Sequence, residues 1–168
     1  MSDSVEAPIG NRLGDALRDE GHTVAVAESC TGGLVGSLIT DVPGASDYFD
    51  RSICTYTYDA KLDLGIAREM LDEHGAVSEP VAREMARRAR DRSGTTWAVS
   101  TTGIAGPTGG SEETPVGTVF IGVARAADWG SNDSYTTVSH HLFDGTRTEI
   151  KRKIARQALQ DILQELQG

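Results

Sequence analysis

Ser29 and Lys61 are the two residues of this 168-residue chain that together could open an acyl bond. Ser29 stands in the run Ala27-Glu28-Ser29-Cys30-Thr31-Gly32-Gly33, at the end of an apolar stretch over residues 23–27. Two consecutive glycines pack no side chain and suit a sharp turn or a close approach to a ligand. A serine hydroxyl is a poor nucleophile until a neighbouring base takes its proton. No histidine stands near a suitable loop, which leaves lysine. An ammonium becomes a base near neutral pH when desolvation lowers its pKa. Lysine is also scarce, with 13 Arg against three Lys, at positions 61, 151 and 153. Tyr56, read as sharing a strand face with Tyr58, could hydrogen-bond the lysine or relay a proton. The alternatives are a helix cap for Ser29, a solvated first-turn lysine for Lys61 and core packing for Tyr56. Cys30 is a rival nucleophile, but directly after Ser29 it is expected to face the core as a small hydrophobe.

Other chemistry finds little support. The chain has no G-x-x-x-x-G-K-[ST], no G-x-G-x-x-G and no G-x-S-x-G. His140 and His141 are adjacent, so on a strand they face opposite ways and cannot chelate one metal. His22 and His74 each stand beside a glycine and read as solvated turn positions. No metal site is expected.

The elements that must position Ser29 and Lys61 follow from periodicity. Ile9, Leu13, Ala16 and Leu17 have helical spacing, with Gly21 as a stop. Residues 23–27 read as a buried strand and 34–40 as the next helix. Residues 52–58, rich in β-branched and aromatic side chains, read as a second strand. Two short helical pieces follow around 61–64 and 67–73. Ser78 reads as the N-cap of a helix running to about residue 92. Residues 97–101 read as a third strand, and 117–125 with 134–142 as a hairpin. Thr146-Arg147-Thr148-Glu149 has capping-box spacing before a long amphipathic helix. The pattern predicts an α/β fold, a three-layer α/β/α sandwich. Residues 1–8 read as a flexible tail and 9–168 as one domain. Four loops dense in hydroxyls and glycines, at 28–33, 56–61, 75–78 and 101–110, could converge on one sheet edge.

Composition narrows the partners. With 25 acidic residues against 16 basic, the net charge is −9, which repels a phosphate backbone and argues against nucleic-acid binding. Acid excess with little lysine fits a protein that works in high salt. Two isolated cysteines fit a reducing compartment, and no apolar run is long enough to span a membrane. The chain therefore reads as soluble and cytoplasmic.

At these residues the chain resembles the CinA C-terminal domain family, whose characterised members are nicotinamide-nucleotide amidohydrolases. The resemblance is carried by the run 27–33, by Val42-Pro43-Gly44-Ala45-Ser46, by Thr55-Tyr56 with Ala60-Lys61, and by Gly75-Ala76-Val77-Ser78. It continues through Thr102-Gly103-Ile104-Ala105-Gly106-Pro107, Gly109-Gly110-Ser111, Pro115-Val116-Gly117 and Phe143-Asp144-Gly145-Thr146-Arg147. It implies the three-layer fold with a mixed, mostly parallel sheet of about five strands. It further implies hydrolysis of the carboxamide of nicotinamide mononucleotide, without a cofactor, by a homo-oligomer, namely a dimer. The family's Ser/Lys pair matches Ser29 and Lys61, and its active-site tyrosine matches Tyr56. Substrate contacts are expected from Glu28, Thr31, Gly32, Gly33, Thr102, Gly103, Gly106 and Arg147, with Arg147 at a helix start meeting the 5′-phosphate. One departure stands beside the site: the family pattern Tyr-Ser-Asn-x-Ala-Lys is here Tyr56-Thr57-Tyr58-Asp59-Ala60-Lys61. Tyr58 in place of asparagine keeps open the alternative of a non-catalytic nucleotide-binding or regulatory module.

Overall fold

The computed structural model describes residues 6–168, so residues 1–5 of the expected tail lie outside the described residues. Residues 6–8 precede the first helix and are exposed. Helix α1 (Ile9–Glu20) buries Leu13 and Leu17 and ends at Gly21, whose left-handed backbone turns its N–H back to the Leu17 and Arg18 carbonyls. There follow β1 (Val24–Glu28), α2 (Leu34–Thr40), β2 (Phe49–Cys54), α3 (Tyr58–Leu64), α4 (Arg68–His74), α5 (Glu79–Ser93), β3 (Trp97–Gly103), β4 (Thr118–Arg125), β5 (Tyr135–Leu142) and α6 (Arg147–Gln167).

The strands form one sheet in the order β2-β1-β3-β4-β5. β1 pairs in parallel with β2 and β3, while β3–β4 and β4–β5 are antiparallel. Four strands therefore run one way and β4 alone is reversed, a mixed and mostly parallel sheet. Side-chain alternation feeds two cores. Val24, Val26, Trp97, Val99, Ile121 and Val123 pack with α1, α2 and α6 on one face. Ala27 and Ala98 meet Val81, Met85 and Ala89 of α5, with Leu64 and Leu71, on the other. The result is the expected α/β/α sandwich, and β1 is buried along its whole length.

Three local details differ from the sequence reading. β2 ends at Cys54, so Tyr56 and Tyr58 do not share a strand face. Thr57 ends the extended segment by capping α3, its Oγ1 accepting from Ala60 N at 3.1 Å. The capping bond outweighs the strand propensity of the Thr/Tyr run. Ser78 holds the N-cap position of α5, but its hydroxyl donates to the Gly75 carbonyl at 2.9 Å instead. His22 is not simply solvated, since its Nδ1 accepts the Trp97 indole N–H at 3.0 Å. Thr146 caps α6 as expected, its Oγ1 accepting from Glu149 N at 3.4 Å, but the return half of the capping box differs: Glu149 Oε1 takes the Thr146 hydroxyl at 2.9 Å and not its backbone N–H. Along β5 the alternation also holds, His140 stacking on Phe120 and His141 on Phe143.

Candidate active site

Three parallel strands deliver polar groups to one sheet edge, at the crevice where connections from β1 diverge. Ser29 follows β1 directly and its N–H donates to the Thr101 carbonyl at 3.0 Å, prolonging the pairing with β3. Thr55 and Tyr56 follow β2, held by Thr55 N to the Glu28 carbonyl at 2.7 Å. β3 contributes Thr102 and Gly103. The fourth side comes from α3, which turns Lys61 back towards the sheet.

Lys61 is 1% exposed. Its Nζ donates to Ser29 Oγ at 2.9 Å and to the Thr55 carbonyl at 2.6 Å, with the Tyr56 carbonyl at 3.5 Å. Burial lowers its pKa from 10.5 to about 8, the nearby Cys30 opposing weakly. Neutral amine is thus present near physiological pH. The two carbonyls fix the amine, and its remaining direction points at the serine. Cys30 lies in the core, where burial pushes its thiol up to about 12. A thiol so held supplies no thiolate, and of the two neighbours only Ser29 has a base.

The turn after Ser29 is anchored from below by Glu28. Its side chain is fully buried and accepts five hydrogen bonds. Oε1 takes Thr31 Oγ1 at 2.7 Å, Gly33 N at 3.2 Å and Val35 N at 2.8 Å. Oε2 takes Gly36 N at 3.0 Å and Ser52 Oγ at 2.6 Å. α2 begins at a glycine N-cap with no side-chain acceptor of its own, so Glu28 supplies the acceptor and complements the helix dipole. Gly32 and Gly33 have φ of 59° and 108°, the left-handed region that the reversal needs. Ser29 therefore does not cap α2. The N–H groups of Gly32 and Gly33 are also committed, to the Ser29 carbonyl and to Glu28. Among the described residues, the N–H groups of Ala105 and Gly106, both in the cleft lining, meet no acceptor.

A cleft of about 260 Å³ opens on the Ser29–Lys61 pair. Arg147, at the first position of α6, crosses its far side, donating to the Gly106 carbonyl at 2.6 Å and to the Tyr56 hydroxyl at 2.9 Å. Neither Asp144 nor Glu149 engages it. The cleft lining includes both Lys61 and Arg147 and no carboxylate, in a chain of net charge −9. That charge pattern suits an anionic ligand.

Of the residues expected from the sequence, Ser29, Lys61, Tyr56, Thr102, Gly103, Gly106 and Arg147 line this one cleft. Tyr56 meets the lysine only through its carbonyl, and its hydroxyl belongs to the Arg147 end. Thr102 is nearly buried and its hydroxyl holds the Ala76 carbonyl at 2.7 Å, tying down the 75–78 loop. Glu28 and Thr31 lie beneath the cleft instead of lining it, Thr31 Oγ1 lying 2.8 Å from Thr101 Oγ1. Gly32 and Gly33 shape the turn. Residues passed over in the sequence are Thr55, whose carbonyl orients Lys61, and Ser52, which fixes Glu28. Their neighbours on β2 were the available signal.

Relatives show the same architecture. The model of the CinA C-terminal domain matches residues 6–166. The nicotinamide-nucleotide amidohydrolase PncC of Escherichia coli K12 is 43% identical over 166 residues, covering 98% of this chain and 97% of that protein. A CinA-like protein of Chlorobium limicola is 49% identical over 160 residues, or 93% of this chain, but the match spans only 37% of that longer protein. Among solved structures, competence/damage inducible protein CihA from Agrobacterium tumefaciens superposes with a TM-score of 0.84 at 40% identity, covering 95% of this chain and 94% of that one. The ComA protein of Klebsiella pneumoniae gives a TM-score of 0.87 at 28% identity, covering 94% of each chain. With sequence and fold agreeing over nearly its whole length, the chain belongs to the CinA C-terminal domain family.

Proposed function

We propose that this cleft hydrolyses the carboxamide of nicotinamide mononucleotide to nicotinate mononucleotide and ammonia, with Ser29 as nucleophile and Lys61 as base. The observation that carries the reading is the buried Lys61 Nζ at 2.9 Å from Ser29 Oγ. The near full-length relative named for this reaction supports the choice of substrate. Neutral Lys61 takes the hydroxyl proton as Ser29 Oγ bonds to the carboxamide carbon. The backbone N–H groups of Ala105 and Gly106, in the cleft lining, receive the developing oxyanion, each such donor contributing about 3–4 kcal/mol in comparable sites. Lys61 then gives its proton to the amide nitrogen, the C–N bond breaks and ammonia leaves. Water attacks the resulting ester, Lys61 accepts a proton from it, and the proton returns to Ser29 as the C–O bond breaks. Each turnover consumes one water and needs no electron acceptor.

Arg147 and the Tyr56 hydroxyl it holds form the seat for the 5′-phosphate. Glu28 and Thr31 act as positioning residues for the nucleophile turn. Two unpaired cysteines, Cys30 and Cys54, agree with work in a reducing cytoplasm. Among the described residues no helix is long and apolar enough to cross a membrane. A dimer follows from the family resemblance alone and is checked by light scattering. The test of the activity is ammonia release from nicotinamide mononucleotide against pH. Because Lys61 must be neutral to act, kcat/KM should rise towards a plateau above about pH 8. Binding by calorimetry without turnover at any pH or salt concentration would replace the enzyme with a non-catalytic nucleotide-binding module.

A further inference from the structure

The ring of an N-glycosylated nicotinamide carries a formal positive charge, and its phosphate a negative one. A charge removed from water is costly unless something in the site meets it. The phosphate has Arg147. The ring has no such partner among charged groups, because no carboxylate lines the cleft and both of its ionisable bases are cationic when protonated. Glu28 is spent on the start of α2 beneath the turn and is closed off from the cleft.

What the cleft does offer is aromatic surface at its mouth. Tyr56 and Tyr58 both line it and are 59% and 52% exposed. The Tyr56 hydroxyl is engaged by Arg147, which assigns that ring to the phosphate end. The Tyr58 hydroxyl has no hydrogen-bond partner among the described residues, leaving its ring free to turn towards a ligand. Tyr58 opens α3 and Lys61 follows three residues later, so the two stand on the same helix face one turn apart. The reacting carboxamide carbon is bonded directly to the pyridinium ring. When that carbon reaches Ser29 beside Lys61, the ring lies within one helical turn of Tyr58.

We infer that Tyr58 is a specificity-determining residue, its π face receiving the cationic pyridinium ring of the substrate. The inference rests on the hydrolysis proposed above. An aromatic face attracts a cation through its ring quadrupole, most strongly where water is partly excluded. It selects a cationic ring over a neutral one of the same shape.

The experiment compares the parent with Tyr58→Leu and Tyr58→Phe. For each, KM and kcat are measured on nicotinamide mononucleotide, and Ki for its reduced 1,4-dihydro form, whose ring is neutral. In Tyr58→Leu, KM should rise by about 3- to 10-fold, the range expected of a cation–π contact, with kcat within about twofold of the parent. Ki for the reduced form should move by less than about twofold, because only the charge term is lost. Tyr58→Phe, which keeps the ring, should restore most of the KM lost in Tyr58→Leu. An unchanged KM in Tyr58→Leu, or KM and Ki rising by one common factor, overturns the inference. A parent that releases no ammonia from nicotinamide mononucleotide overturns the functional reading beneath it, a separate result.

Discussion

Replacing Lys61 by methionine should cut activity severely and, at neutral pH, stabilise the fold. The pKa of Lys61 falls from 10.5 to about 8 because the ammonium is buried, so keeping it charged at pH 7 costs roughly 3 kcal/mol. Methionine fills a similar space without the charge. The substitution forfeits the bonds to Ser29 Oγ and the Thr55 carbonyl, about 1 kcal/mol each. The balance at pH 7 is a gain of about 1 kcal/mol, or about 2–4 °C in Tm for a domain of this size. The sign then changes with pH. Below about pH 8 both native and unfolded parent carry the proton and the penalty is complete. Between about 8 and 10.5 the native amine loses its proton before the unfolded one, so parent stability climbs and the two curves cross. Thermal unfolding followed by circular dichroism at pH 7 and pH 10 reads both ends, while ammonia release should fall by about 10²- to 10⁴-fold. A variant less stable than the parent at pH 7, by a margin that does not vary with pH, would refute the picture of a buried, strained cation.

Two further substitutions test the rest of the site. Glu28→Gln removes the charge at the start of α2 and turns one acceptor oxygen into a donor facing donors; a loss of about 2–4 kcal/mol is expected from urea unfolding, and a loss below about 0.5 kcal/mol would contradict its anchoring role. Arg147→Ala should raise KM for nicotinamide mononucleotide by about 10- to 100-fold while barely moving KM for the riboside that lacks the phosphate. Equal effects on mononucleotide and riboside would take Arg147 away from the phosphate.

Some of this site was legible in the chain because local signals agreed with the fold. A strand running into Gly32-Gly33, a scarce lysine after the next strand and a capping box at Thr146 are each short-range patterns, and Ser29, Lys61 and the start of α6 fall where those patterns put them. Tyr56 was harder. Its Thr/Tyr neighbours have strand propensity, and the Thr57 cap that ends the strand is one bond whose weight a propensity argument does not carry. The hydroxyl of Tyr56 meets Arg147 across 91 residues of sequence, a pairing that only the folded sheet creates. Glu28 misled for a different reason. It serves N–H groups seven and eight residues ahead, far outside the spacing of a capping box, so beside Ser29 it looked like a ligand contact. The scarcity of lysine singled out Lys61, and the fold brings its Nζ within 2.9 Å of Ser29 Oγ.

The proposed chemistry requires the Ser29 hydroxyl, and not the thiol beside it, to attack the carboxamide. The most direct measurement is the steady-state rate of ammonia release from nicotinamide mononucleotide by Ser29→Ala with Cys30 intact. A fall of at least about 10³-fold is expected, with the fold unchanged by circular dichroism. A rate within about tenfold of the parent would contradict it, since removal of a nucleophile leaves far less than that.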